Sequence, residues 1–299
     1  MSYAIHVLIY FEIYVIVALG LNLVVGYCGM LTLAHAAYFA VGGYTYALLA
    51  VVQHWSFLPA IGLVVLVSSI LSLAVSLPGW RLKGDFYVMA SLAVQVLFFT
   101  LFRSWFNPAV PLGSIRNLTN GPFGISAIPR PEILGTRLDA LPAFLLLSTF
   151  VVLLCTVVVA RLTSSPWGRV LLSMRDDELA ARGLGKNTRL LKAQAVVISC
   201  VLVSIAGALY VSYIGYLDPS AGALDQSILM LSMVLVGGVG NLRGSIVGAA
   251  ILVLLPELLR FLSLPEAQAA NLRLGIYGLA LILMMHLRPQ GVAGEYRVT

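Results

Sequence analysis

Residues 4–25 read AIHVLIYFEIYVIVALGLNLVV, an apolar run interrupted by one carboxylate, Glu12, and by no Lys or Arg. As a helix each residue rises 1.5 Å, so a run of this length spans the ~30 Å hydrocarbon core of a bilayer. Only a helix crosses there without leaving backbone groups unpaired. Similar runs follow at about 31–53, 57–78, 86–102, 141–161, 191–214, 226–240, 244–262 and 272–287. The seventh is short for a crossing and reads either as a span or as a broken, re-entrant element. The expected fold is all-α: a polytopic transmembrane helix bundle of about nine spans (eight to ten), one domain over residues 1–299, with no soluble domain.

Composition agrees. Of 299 residues, 60% are hydrophobic and 10% charged, where a soluble domain carries about 25% charged residues. The net charge of +6 would raise nucleic acid as a partner in a soluble protein, but the cations lie mainly between apolar runs, the usual topological bias of membrane proteins. Lipid is therefore the expected surroundings and nucleic acid is not an expected partner. Cys28, Cys155 and Cys200 form no CxxC pair and each lies in or beside an apolar run, so they read as small buried hydrophobes. No metal site follows. The first basic residue is Arg81, so the opening run lacks the positive start of a cleaved leader and reads as a retained span.

Charge also suggests orientation. Residues 161–192 hold Arg161, Arg169, Arg175, Arg182, Lys186, Arg189 and Lys192, which places this segment in the cytoplasm. Nine spans then put the N-terminus outside and the C-terminus inside, and make the long loop at about 103–140 external. That loop is rich in turn formers and reads as a contact for an external partner or as a passive lid.

Between the fifth and sixth runs, a polar stretch of about 162–190 is the informative one. Ser173-Met174-Arg175-Asp176 has the spacing of a capping box. Asp176, Asp177 and Glu178 would occupy the first turn, where the helix dipole favours acids. Ala180 and Ala181 propagate the helix, and Gly183 and Gly185 can end it. Asn187 or Thr188 can cap the next. A short rigid helix outside the bilayer suits mechanical coupling to a soluble partner, and suits equally an amphipathic connector on the surface. A phosphate loop would read GxxxxGK[ST]. The nearest approach, Gly185-Lys186-Asn187, has Ala180 for the first glycine and Asn187 for the hydroxyl residue. No ATP site is read here, so this chain is not expected to be an enzyme.

Two further patterns stand out. Val25-Gly26-x-x-Gly29-x-Leu31 recurs as Val236-Gly237-x-x-Gly240-x-Leu242, each joining two apolar runs. Polar residues in the spans are costly and tend to face a bundle interior or a water path, which makes Glu12, Asn22, His35 and Gln95 candidates for a pathway or gate; Glu257 joins them on composition. Glu12 is expected near the outer end of its span. Asn22 and His35 flank the first inner turn and are expected to pin it, His35 reading first as structural. Asp85 reads as a helix cap, and Gly244-x-x-x-Gly248 as a packing motif.

Taken in order, Gly20-Leu21-Asn22-Leu23-Val24-Val25-Gly26-Tyr27-x-Gly29, Leu31-Thr32-Leu33-Ala34-His35-Ala36-Ala37-Tyr38-Phe39, Gly84-Asp85-Phe86-Tyr87, Leu118-Thr119-Asn120-Gly121-Pro122, Gly168-Arg169, Arg175-Asp176-Asp177-Glu178-x-Ala180-Ala181, Gly207-Ala208-Leu209-Tyr210, Gly237-Gly238-x-Gly240-Asn241-Leu242-x-Gly244 and Arg288-Pro289-Gln290-Gly291 resemble the LivH/LivM permeases of branched-chain amino-acid ABC importers, the LivM type above all. The resemblance implies a permease subunit of a binding-protein-dependent importer in a bacterial or archaeal cytoplasmic membrane. It implies a second, related permease, two cytoplasmic ATPase subunits and a soluble external substrate-binding protein. ATP and Mg would sit on the ATPases, with no cofactor in this chain. It also implies that Gly168, Arg169, Arg175, Asp176, Asp177, Glu178, Ala180, Ala181 and Gly185 belong to the segment shown to the ATPase. The sequence departs from the pattern at Ala34, Phe123 and Lys186, where Gly, Asp and an apolar residue are usual. Close relatives move urea, short amides or small aromatic acids, so the cargo stays open. A stand-alone secondary transporter is the competing class.

Overall fold

A computed structural model describes residues 2–79, 84–133, 135–260 and isolated positions beyond (275, 278, 279, 291 and 292). Among the described residues, ten helices follow in order: α1 (Ser2–Asn22), α2 (His35–Val52), α3 (Phe57–Gly79), α4 (Asp85–Ser104), α5 (Leu141–Ser164), α6 (Pro166–Asp176), α7 (Glu178–Gly183), α8 (Thr188–Ile214), α9 (Leu224–Gly237) and α10 (Leu242–Arg260). A π-helical turn, Leu23–Tyr27, prolongs α1. A two-residue hairpin, β1 (Glu132–Ile133) and β2 (Thr136–Arg137), lies in the long loop.

Eight of the nine expected spans are present at their places. The ninth, 272–287, lies outside the described residues except for positions 275, 278 and 279, and Arg81, Lys83, Arg288 and the side chain of Glu257 lie outside them too. Among the described residues six helices are long and apolar enough to cross a membrane, and α9 and α10 are apolar but shorter over the stretch that qualifies. At 14 residues, α9 rises only ~21 Å. The turn Pro219–Gly222 precedes it, with Gly222 packed on Ala40 of α2. Gly215, at φ +75°, ends α8 in the left-handed conformation that favours glycine.

Packing divides the bundle in two. Helices α1, α2 and α8 are mostly buried, whereas α3, α4 and α5 show most of their surface. That surface is apolar: Phe86, Leu97, Leu146 and Phe150 are all more than half exposed. In water it would be an aggregation liability, and in lipid it meets a solvent as apolar as itself. Glycines let the central helices touch. A Cβ on Gly42 would lie 2.0 Å from the Ser204 carbonyl oxygen, and one on Gly207 would lie 2.0 Å from that of Phe39. Each of α2 and α8 thus supplies a gap for the other's backbone, the small-residue packing that drives association in lipid. The Gly244/Gly248 motif works likewise, with Gly248 against the Met233 carbonyl and Gly237 on α9.

Cross-contacts sort the loops between two faces. Gly113 of the long loop packs on Val52 at the end of α2, Ile125 pairs with Leu217 after α8, and His6 near the start of α1 bonds to Tyr213. These ends share one face. The other carries α6, α7, the α1–α2 turn and the α9–α10 turn.

Candidate functional site

The two turns that share a sequence pattern share a place. A Cβ on Gly26 would meet the Gly240 nitrogen at 2.4 Å, so the copies lie backbone to backbone. Their second glycines take the same left-handed conformation, Gly29 at φ +71° and Gly240 at φ +81°. Asn22, fully buried, clamps them. Its Oδ1 accepts from the Gly240 N–H at 2.8 Å. Its Nδ2 donates to the Asn241 carbonyl at 2.9 Å and to Ser245 Oγ at 2.7 Å. The expectation that Asn22 pins the first turn is met, with the partner a turn over 200 positions away.

Arg175 enters this junction from α6. Its Nη1 donates to the Gly26 carbonyl at 2.6 Å, and its side chain is only 11% exposed. A Cβ on Gly29 would fall 2.6 Å from Arg175 Cγ, and one on Gly240 would fall 3.0 Å from Nη1. Two glycines, Gly29 and Gly240, therefore leave the room that the Arg175 side chain occupies. Leu171, Met174 and Ala181 are buried beside Tyr27 and Cys28, so α6 and α7 rest on the first turn through an apolar face as well.

The cap is Asp177, four residues after the Ser173 that the spacing predicts. Ser173 lies inside α6 and returns its hydroxyl to the Val170 carbonyl, so Ser173–Asp176 is no capping box. Asp177 breaks the helix in extended conformation (φ −150°, ψ 103°) and accepts from the Leu179 and Ala180 N–H groups. A carboxylate that satisfies two orphan donors outcompetes a serine that can satisfy one. The segment is thus two short helices with a corner. Asn187 caps α8 by accepting from Leu190 N–H, as expected. At the start of α4, Gly84 takes the cap position with no side-chain bond, so Asp85 is not the cap.

Glu178 ties the corner down. It accepts from Arg182 Nη2 at 2.6 Å and from Lys192 Nζ on α8 at 2.9 Å. Burial acts to raise its carboxyl, but the hydrogen bond and charge of Lys192, with Thr188 and Arg182, outweigh it and hold the group below the usual carboxylate range. Gly168 sits on the Thr163 carbonyl at the α5–α6 corner, and Arg169 donates to the Ser164 carbonyl at 3.2 Å. Asp176, Leu179, Ala180, Leu184, Gly185 and Lys186 point away from the bundle. The expected coupling residues therefore divide into an inner set that grips the spans and an outer set open to a partner.

The four polar residues of the spans do not form one site. His35 Nε2 lies 2.7 Å from Ser199 Oγ, and Ser199 donates to the Gly20 carbonyl at 2.5 Å. Gln95 Oε1 accepts from Ala37 N–H at 2.9 Å and from Ser227 Oγ at 3.2 Å, while its Nε2 donates to the Gly222 carbonyl. Ser227 Oγ accepts from Ala36 N–H at 3.1 Å. The buried start of α2 is thus capped by α4 and α9 rather than by its own neighbours. Glu12 lies halfway along α1, not at its outer end. It is buried and accepts from Ser148 and Thr149 of α5. Two hydroxyls from a neighbouring helix stand in for the water that an outer position would have offered. Sequence reasoning missed Ser199 and Ser227, because serines in apolar helices usually bond to their own turn.

Comparison with known proteins places this architecture. The family model described as "Branched-chain amino acid transport system / permease component" matches residues 3–285. The chain is 32% identical to the high-affinity branched-chain amino acid transport system permease protein LivM of Escherichia coli K12, over 94% of this chain and 67% of that protein. It is 26% identical to the probable branched-chain amino acid transport permease LivM of Methanocaldococcus jannaschii, over 97% and 92%. To LivH of Escherichia coli K12 it is 24% identical, over 95% and 92%. No solved structure matches. With a family match along nearly its whole length and a multi-pass apolar bundle to carry it, the chain belongs to the branched-chain amino acid permease family, as a LivM-type member.

Proposed function

We propose that this chain is the translocating subunit of a binding-protein-dependent ABC importer, moving branched-chain or related amino acids with energy from ATP hydrolysed elsewhere. In this reading two ATPase subunits dock on the outward side of α6 and α7, a second related permease completes the passage, and a soluble binding protein delivers solute at the opposite face. The α6–α7 face is then cytoplasmic and the N-terminus external.

The observation that carries the reading is the two-sided segment α6–α7. Its inner side is bonded to the spans through Arg175 and Glu178. Its outer side shows Leu179 and Leu184, 70% and 80% exposed, beside charged and polar neighbours. Isolated apolar residues on a rigid corner suit a groove in a partner better than a membrane surface, which would take a continuous apolar stripe.

The test is reconstitution in vesicles with candidate ATPases, the related permease and the binding protein, followed by labelled leucine, isoleucine, valine, urea, short amides and small aromatic acids. Uptake that needs ATP and the binding protein supports the reading, and the panel assigns the cargo. A full rate of flux through this chain alone, in ATP-free vesicles, overturns it in favour of a secondary carrier. Asp177→Lys with Glu178→Lys should insert normally and lose stimulation of the ATPase.

A further inference from the structure

We propose that the cavity beside His35 is a binding site for a small hydrogen-bond donor, held by an N–H or O–H to Nδ1 of the imidazole. The argument starts from one proton. Ser199 has a single hydroxyl hydrogen, and at 2.5 Å the Gly20 carbonyl takes it, since a carbonyl can only accept. Ser199 Oγ is also 2.7 Å from His35 Nε2, so on that side it can only accept, and Nε2 carries the ring proton. In a neutral imidazole the other nitrogen is then a bare acceptor. His35 is 3% exposed, and its Nδ1 is buried with no partner. A doubly protonated ring would be a buried cation, and among the described residues no carboxylate lines the space around it.

That space is a cavity of about 90 Å³, whose walls include His35, Thr32, Tyr38, Tyr87 and Cys200, the rest being mainly aliphatic. Ser199, the partner of Nε2, is not among them. Ser76 and Ser91 also line it, but both return their protons to carbonyls of their own helices. A water needs ~10–15 Å³ and an apolar cavity of ~150 Å³ admits benzene. The volume here suits several waters, or a small neutral solute that carries an amide N–H. Tyr87 is shared with a larger cleft of about 320 Å³ on the α6–α7 face, lined by Cys28, Asp85, Arg175, Glu178 and Lys192 among others. Tyr87 therefore lines both spaces.

Water and the N–H of a short amide offer the same neutral donor chemistry, and the second source rests on the transport reading above, in which short amides are a candidate cargo. The assembled transporter, labelled with ¹⁵N-histidine and held in lipid, separates them by solid-state NMR, with His35→Gln assigning the signal. Ser199→Ala, which removes the proton bookkeeping and keeps His35, provides a second variant. Expected is an Nε2–H tautomer with Nδ1 shifted upfield by an accepted hydrogen bond, and a mixed tautomer in Ser199→Ala. A shift already present and unmoved by acetamide assigns water. A shift that appears or grows with acetamide assigns the amide N–H. A protonated Nδ1, or a bare Nδ1 signal with and without acetamide, overturns the proposal. The tautomer stays readable if ATP-dependent uptake fails, so the two readings fail separately.

Discussion

Arg175 of α6 donates to the main-chain carbonyl of Gly26 across 2.6 Å, which bonds the segment between α5 and α8 to the turn between α1 and α2. A push on that segment is therefore delivered to backbone, not to a side chain that could rotate away. Asn22 passes it on, because the same turn is bonded to the Gly240 N–H.

Removing the guanidinium should uncouple the segment without unfolding the bundle. A hydrogen bond to a charged group contributes ~1.5–3 kcal/mol, so solute moved per ATP in Arg175→Ala should fall about 10- to 100-fold. Basal ATPase and membrane insertion should persist. Arg175→Lys should recover part of the ratio, since one ammonium lacks the planar fork that reaches the Gly26 carbonyl beside Gly240. Paired uptake and ATPase assays on reconstituted vesicles measure it.

Two glycines give opposite outcomes under one substitution. Gly26→Ala would drive a Cβ to 2.0 Å from Asn22 Oδ1 and 2.4 Å from the Gly240 nitrogen, breaking the clamp at ~1–3 kcal/mol. Gly62 lies exposed in α3 with nothing within 4 Å of its Cβ position. There alanine should stabilise by ~0.5–1 kcal/mol. Thermal unfolding of the detergent-solubilised chain should drop for the first and rise for the second.

Asp177 tests the corner between α6 and α7. Asp177→Ala removes the acceptor for two N–H groups and should cost ~0.5–2 kcal/mol locally. Asp177→Asn keeps a capping oxygen and should lose much less. Amide hydrogen exchange at Leu179 and Ala180 distinguishes them: rapid in the alanine variant, near wild type in asparagine.

The Glu178 bridge predicts an acid dependence with a definite sign. Its folded carboxyl lies below the usual range, held there by Lys192, Thr188 and Arg182 against the opposing effect of burial. Such a group contributes fully above its unfolded value, ~4.3, and loses that contribution as pH falls through the folded value. Exchange in α7 should therefore accelerate on acidification below about pH 4. Glu178→Gln should exchange faster already at neutral pH and lack that step.

The membrane class, the places of the spans and the position of the polar segment were legible in the sequence, because each rests on neighbours a few residues apart. Hydropathy over a window places a helix, an acid or amide before it caps it, and Asn187 met that rule. The start of α2 shows the limit of the method. Apolarity extends the second run back to about 31, yet the helix begins at His35, because the donors of its first turn are taken by Gln95 and Ser227 from other helices.

Amino-acid order alone determined what this chain dissolves in and where it turns. Folding in three dimensions decided which carbonyl Arg175 holds, that the two glycine turns meet, that Glu12 faces Ser148 and Thr149, and which nitrogen of His35 carries the proton. Those partners lie scores to hundreds of positions apart and depend on how each helix is rotated against the next. Rotation is set by the sum of many small packing contacts, and no short stretch of sequence contains that sum.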